Sequence, residues 1–381
     1  MTPLDWLLIG SGFISAGALV MTVINTLVLG RARPGPKSGP LVSVCVPARN
    51  EEANIEACVR CVLASGYGPV EVLVYDDQST DATPRILAAM ETQDARVRRI
   101  ATTPLPEGWN GKQHACHRMA AAARGEWMLF TDADVRLEPD AIGASIEAAG
   151  RLHAGLISAF PRQHVGTVGE ALLVPMIHFV LFSYLPFPRM RRTIDPSASA
   201  GCGQFLFISR AAYDASGGHA GFRSSMHDGI RLPRAVRRAG FRSDLIDGTE
   251  IASCRMYRSL GSAWRGFAKN AFEGLGSVGL LVFATVLHLA GHLLPWALAA
   301  AWLMGQVHFG GPALAGMLTA VGAGMTQRLI LCVRFRHPPW IAAVHPLGVA
   351  MMTAVQWWSW WLAARGRREW RGRGAAGACP P

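Results

Sequence analysis

Charge is scarce in this chain. Only 17% of its 381 residues are Asp, Glu, Lys or Arg, while half are apolar. That balance is low in charge for a wholly soluble protein. No internal repeat is evident, so a repeat array is set aside. The Cys58-x-x-Cys61 pair has neither a second pair nor a histidine at metal spacing, which excludes a zinc module. The net charge of +11 comes without any nucleic-acid module, so no nucleic-acid partner is expected. The first apolar run lacks a small-residue cleavage site, which excludes a removed signal peptide.

What is present is an uneven distribution of apolar residues. Residues 6–29 carry no charge and reach the roughly 20 residues needed to cross a bilayer. This reads as an anchor over residues 1–30. Arg31, Arg33 and Lys37 follow it directly and place the next segment on the cytoplasmic side of the cell (inner) membrane. After Glu273 the chain turns apolar again. Residues 276–304, 312–333 and 341–363 are three further candidate spans within a C-terminal region at 276–364. His288, His292 and Pro295 interrupt the first of these, which suggests a hairpin. A basic tail occupies 365–381, after the four tryptophans of "AVQWWSWWLAA". Three later spans would put that tail outside, against the preference of arginine for the cytoplasm. One segment must then be re-entrant or interfacial, or the charge rule fails. "MIHFVLFSYLPF" (176–187) is too short to span and reads as core or as an interfacial segment.

Between the apolar ends, residues 41–275 alternate strand and helix patterns. "LVSVCVPA", "VEVLVYDD", "RVRRIAT" and "WMLFTDADV" read as buried strands. Helical patterns lie between them, with Cys58 and Cys61 on one face of the first and Ser79 or Thr80 near the N-cap of the second. Cytoplasmic placement keeps the thiols free. The pattern predicts an α/β domain with a mainly parallel, Rossmann-like sheet. Ligands in such sheets sit beyond the carboxyl ends of the strands. There the chain places Pro47, Arg49, Asn50 and Glu51, then Asp76 and Asp77, then Asp132 and Asp134.

Asp132 and Asp134 lie one residue apart, on one side of an extended chain. Two carboxylates can hold Mg²⁺ or Mn²⁺ when diphosphate oxygens and water complete the octahedron. Taken alone, such a pair more often marks a solvated turn. Asp76 and Asp77 fit either recognition of a base edge or capping of the next helix. In "EGWNGKQHA", Lys112 fits either a diphosphate contact near a helix start or a surface lysine. "MHDGI" opens a helix with Asp228, either as a base or as its N-cap. Arg255 and Arg258 fit bidentate contacts to diphosphate, whereas Trp264 and Lys269 fit interfacial anchors equally well.

The ordered set "VSVCVPARNEE", "VLVYDDQSTDAT", "GK" and "FTDADV" resembles the family 2 glycosyltransferases of GT-A fold. "LPEGWNGKQHAC", "GQFLFISRAAYDASGGH" and "CRMY…WRGFAKN" are similar to a narrower membrane group. That group contains hopene-associated and diaponeurosporenoate glycosyltransferases, which act on lipid-like isoprenoids. The resemblance implies that Pro47, Arg49, Asn50 and Glu51 line the nucleotide pocket. It implies that Asp77 contacts the base with Asp76 beside it, and that Lys112 lies near the ribose and diphosphate. Asp134 becomes the main metal ligand, with Asp132 assisting it or touching ribose. Asp228 becomes the base of an inverting transfer, with His227 standing where the family often has Glu. The Gln-x-x-Arg-Trp motif of processive synthases is missing, which implies addition of one or few sugars.

The expected protein is therefore a membrane enzyme that takes a nucleotide-sugar, with UDP as the nucleotide, to a lipid or isoprenoid acceptor of the bilayer. Alternatives are a polysaccharide or polyprenyl-phosphate glycosyltransferase, and a non-catalytic lipid-binding protein on an inactive fold. Intact Asp132, Asp134, Asp228 and Lys112 argue against the inactive fold.

Overall fold

The computed structural model describes residues 1–367 and the backbone of residues 369–370 and 373–374. The basic tail expected over 365–381 lies largely outside the described residues.

Runs of Val, Leu and Phe favour fully buried strands. Eight strands form one sheet: β1 (Val42–Ala48), β2 (Val70–Asp76), β3 (Val97–Ile100), β4 (Trp127–Thr131), β5 (Val135–Leu137), β6 (Leu156–Gln163), β7 (Phe205–Ser209) and β8 (Ser243–Cys254). Their order is β3-β2-β1-β4-β7-β6-β8-β5. The pairings among β1 to β4 are parallel, as is β6 with β8. Strand β7 runs antiparallel to both its neighbours, and β5 antiparallel to β8. The sheet is thus mainly parallel, with an antiparallel centre absent from the sequence reading.

Strands β6 and β8 were not legible as strands. Pro161 interrupts β6, and the register slips between Pro161 and Arg162. In β8, "SDLIDGTEIASC" carries Asp, Gly and Glu through a buried strand. Both strands owe their form to pairing, not to pattern.

Among the described residues three helices are long and apolar enough to cross a membrane: Pro3–Val28, Val278–Leu303 and Gly311–Phe335. Two expectations change here. Residues 276–304 do not form a hairpin. They form one continuous helix with a π-helical stretch at His288–Leu293, which absorbs the polar and proline interruption without a turn. The segment at 341–363 forms a 20-residue helix, His345–Ala364, that falls outside the set apolar enough to span. It packs against Leu260–Ala268 and Ala271–Leu275 of the sheet domain and against the π-helical stretch.

The first and third of the long helices cross closely. A side chain on Gly12 would meet the Gly316 carbonyl at 2.9 Å, and one on Gly316 would meet the Leu8 carbonyl at 2.5 Å. Small residues at such a crossing let the backbones approach. The short helix Met176–Tyr184 is core, not surface: Phe179 and Phe182 are fully buried beside Phe335 and Val349. Buried Asn25 donates to the Phe182 and Leu185 carbonyls and so ties the first helix to this core. Arg334 pairs with Asp247 of β8 at 2.8 Å, and Asp247 N–H donates to the Gly30 carbonyl. Helices and sheet domain are therefore joined by buried polar contacts that would be costly to leave unmade.

Candidate active site

The carboxyl ends of β1, β2 and β4 meet at one edge, as the sequence implied. Arg49 Nη1 donates to the Asp77 carbonyl at 2.5 Å and lies 3.6 Å from its Oδ2, so these two residues form one unit. Asn50 adopts a left-handed backbone (φ 52), which asparagine tolerates better than most residues. Its Oδ1 accepts from Thr80 N–H at 2.8 Å, and its N–H donates to Ser79 Oγ at 2.8 Å. Ser79 and Thr80 thus bind the loop after β1 and do not cap the following helix. That helix, Thr83–Gln93, starts without a side-chain cap. The Asp76 carboxylate accepts from the Ser79 N–H and hydroxyl at 3.1 and 2.5 Å. Pro47 sits in β1 opposite Tyr75. Glu51 is buried and accepts from Asn54 Nδ2 at 2.9 Å.

Asp132 and Asp134 are not on an extended strand. Val135 N–H donates to the Asp132 carbonyl at 3.1 Å, which makes residues 132–135 a tight turn between β4 and β5. Ala133 is buried at its centre. Burial and the nearby charges of Asp132 and Glu51 push the Asp134 carboxyl up to about 7, against a hydrogen bond from Cys254. Asp134 Oδ1 is buried and has no hydrogen-bond partner.

Lys112 is the second residue of helix Gly111–Ala122, whose first turn Asn110 caps by accepting from the Lys112 N–H. That cap directs the side chain into the site. Lys112 Nζ lies 2.7 Å from Asp132 Oδ1 and 3.0 Å from Asp228 Oδ2. It also donates to the Gly203 carbonyl at 3.4 Å. Burial opposes the charged ammonium, but Asp132 and Asp228 outweigh it and hold Lys112 well above its ordinary value. Burial alone would raise the Asp228 carboxyl. Lys112 overrides it and keeps Asp228 below the usual range.

Asp228 opens helix Asp228–Arg238 but does not cap it. Its Oδ1 accepts only from the neighbouring Gly229 N–H, at 2.8 Å. A Cβ on Gly203 would lie 2.2 Å from Asp228 Oδ1, so only glycine leaves room for the carboxylate. Burial lowers the His227 imidazole, which favours its neutral form.

The arrangement brings Lys112, Asp132, Asp134 and Asp228 together across more than a hundred residues of sequence. Arg255 stands one residue beyond the β8 end, with its guanidinium paired to fully buried Glu170 at 3.2 Å. Arg258 is exposed, and Trp264 packs partly buried against the core between domain and helices. Three residues at the site carried no assignment from sequence: Gly203, Gln204 and Cys254. "GCGQF" and "CRMY" flagged their neighbourhoods, but pairing of distant strands selects the individual side chains. The seven cysteines among the described residues are free thiols.

The sequence signature of Glycosyl transferase family 2 matches residues 43–217. The chain is 27% identical over 263 residues to the 4,4'-diaponeurosporenoate glycosyltransferase of Staphylococcus haemolyticus, covering 68% of each protein. It is 26% identical over 352 residues to that of Staphylococcus aureus, covering 87% of each. A mannosyltransferase from Pyrobaculum calidifontis, solved with GDP-Man and Mn²⁺, has the same fold. The TM-score is 0.59 at 20% identity, over 93% of this chain and 99% of that one. A mainly parallel sheet with its carboxylates gathered at one edge and this signature across it identify the chain as a glycosyltransferase with a family 2 domain on the GT-A fold.

Proposed function

We propose that the protein transfers one sugar, with inversion, from a nucleotide-sugar to an isoprenoid or carotenoid-type lipid of the membrane, with UDP as the donor nucleotide. The observation that carries this reading is the shared contact of Lys112 with Asp132 and Asp228. It joins the donor end of the site to the acceptor end through one cation.

Arg49, Asn50 and Asp77 shape the nucleotide pocket. Lys112 supplies positive charge to the diphosphate once the donor draws it from Asp132. Among the described residues no group of three or more His, Cys, Asp or Glu side chains is disposed to hold a metal. Asp134 and Asp132 nevertheless fit Mg²⁺ or Mn²⁺. The buried, unpartnered Asp134 Oδ1 and the mutual repulsion of Asp132, Glu51 and Asp134 are what a divalent cation would relieve. When bound, such an ion stabilises negative charge on the departing diphosphate. Asp228 stands on the acceptor side. It accepts the proton of an acceptor hydroxyl as that oxygen attacks the anomeric carbon. The relatives are named for an acid, diaponeurosporenoate. A carboxylate acceptor attacks already ionised and needs no proton removed.

A lipid acceptor fits the surroundings of Asp228. A Cβ on Gly274 would lie 3.7 Å from the His227 ring. Phe272 N–H donates to Ser359 Oγ of helix His345–Ala364 at 3.0 Å. The base is thus two short steps from the apolar bundle. Arg31, Arg33 and Lys37 favour the cytoplasmic side for the domain. Two spans after the domain, Val278–Leu303 and Gly311–Phe335, return the chain to that side. Arg334 and Arg336 at the end of the second span pair with Asp247 and Glu250 of the domain. On this reading His345–Ala364 is a re-entrant or interfacial helix, and the basic tail stays cytoplasmic.

The test is direct. Membranes with and without the protein are compared by mass for sugar-bearing lipids, and purified protein in detergent is assayed for metal-dependent UDP-sugar binding. Asp134→Ala should remove that binding. Metal-dependent binding that persists would remove the metal assignment.

A further inference from the structure

A line of three buried side chains ends on Cys254, beside Asp134. Gln163 Nε2 donates to Gln204 Oε1 at 2.9 Å. Gln204 Nε2 donates to Cys254 Sγ at 3.0 Å. Cys254 is the register partner of Val135, the residue that follows Asp134, so its thiol stands beside the Asp134 carboxyl and influences it. The three are 4, 5 and 2% exposed, so no solvent competes for these bonds.

The fold builds this line from strand ends. Gln163 closes β6 and Cys254 closes β8, and the two residues are register partners. Gln204 stands just before β7, with its carbonyl held by the Thr131 hydroxyl at 2.8 Å, at the end of β4. Four strands therefore fix the position of one sulfur. Gln204 faces a second polar neighbour in Cys202 Sγ, at 3.7 Å, which lengthens the network without reaching Asp134.

A thiol is a weak donor. A hydroxyl or amide in its place would satisfy the carboxylate more fully. Beside the Cys254 thiol, Asp134 keeps much of its charge uncompensated, and its Oδ1 receives no hydrogen bond. We propose that Cys254, itself oriented by Gln204 and Gln163, is a positioning residue that presents Asp134 to the divalent cation of the donor complex. This rests on the assignment of Asp134 as the metal ligand made above. Partners of this outer kind commonly govern metal affinity by about 10- to 100-fold.

The experiment measures Mn²⁺ binding by the purified full chain in detergent, from the free Mn²⁺ signal in electron paramagnetic resonance. UDP or GDP is present, whichever the unaltered protein binds more tightly. Cys254→Ala should weaken Mn²⁺ binding about tenfold, and Gln204→Leu should act in the same direction. Cys254→Ser restores a donor and should return affinity to within about threefold of the original. Transfer at saturating Mn²⁺ should survive in Cys254→Ala, so the defect appears in the Mn²⁺ requirement and not in kcat. Native Mn²⁺ affinity in Cys254→Ala would overturn the proposal. So would a Cys254→Ser protein as impaired as Cys254→Ala while melting like the original. Asp134→Ala separates the two assignments. If it binds Mn²⁺ normally, the ligand reading fails. If it loses Mn²⁺ while Cys254→Ala does not, only the positioning role fails.

Discussion

Lys112 and Asp228 meet across 3.0 Å, and the same ammonium reaches Asp132 at 2.7 Å. One lysine thus pairs with two carboxylates, from the turn after β4 and from the start of helix Asp228–Arg238. Lys112→Met removes that cation and leaves buried negative charge unpaired. Breaking a buried pair costs about 3–5 kcal/mol. The variant should melt lower, and most of the loss should return when UDP and Mn²⁺ are added. Donor affinity, measured by calorimetry, should fall as well. Unchanged donor affinity would remove Lys112 from the diphosphate site.

Asp228→Asn separates two acceptor chemistries. With a hydroxyl acceptor, loss of a general base should slow transfer by about 10²- to 10⁴-fold. With a carboxylate acceptor, no proton is removed and transfer should stay within about tenfold. Product formation from a matched long-chain alcohol and acid, followed by mass, distinguishes them. Equal, undiminished transfer to the alcohol would end the assignment of Asp228 as base.

Gly203→Ala tests the tight fit around Asp228. The added methyl would stand 2.2 Å from Asp228 Oδ1, so the carboxylate must move. A displacement of about 1 Å at a reacting group can cost about 100-fold. Turnover should fall on that scale while donor affinity stays within about threefold. A loss confined to donor affinity would place Gly203 on the donor side instead.

Glu71 bears on stability and not on chemistry. Burial alone would raise its carboxyl. The Ser43 hydroxyl at 2.7 Å, the Arg124 N–H at 2.7 Å and the Arg98 guanidinium at 2.7 Å override this and hold it below its usual 4.5. A carboxylate lowered in the folded state stabilises the protein above its unfolded pKa. That contribution is lost as pH falls through the folded value. Melting temperature should therefore drop below about pH 4.5, and Glu71→Gln should flatten that part of the curve. At neutral pH the variant should be less stable by about 1–3 kcal/mol. A melting curve with the same acid limb in both proteins would contradict this.

Much of the site was legible because its residues follow strands whose apolar runs are local signals. Pro47 to Glu51, Asp76–Asp77 and Asp132–Asp134 each end such a run. Such runs are one-dimensional signals. They show that carboxylates stand at strand ends, and not that Asp132 and Asp134 share a tight turn or that Ser79 and Thr80 serve the neighbouring loop. Asp228 was legible as a carboxylate at a helix start. Its separation from the N-cap role required Lys112 and Gly203, which the chain brings to it from 116 and 25 residues away.

By itself the sequence determined the class of chemistry, the α/β domain between apolar segments, and which charged residues stand at the strand ends. These depend on side-chain type and on short periodicities, which survive in one dimension. Tertiary structure alone decided the strands that lack a pattern, β6 and β8, because their stability comes from partners and not from composition. It decided that His345–Ala364 packs on the sheet domain, since its four tryptophans are compatible with a span or an interface. It also decided that Gln163, Gln204 and Cys254 join in one line beside Asp134. Hydrogen bonds act over about 3 Å, and only the fold sets which distant residues come within that reach.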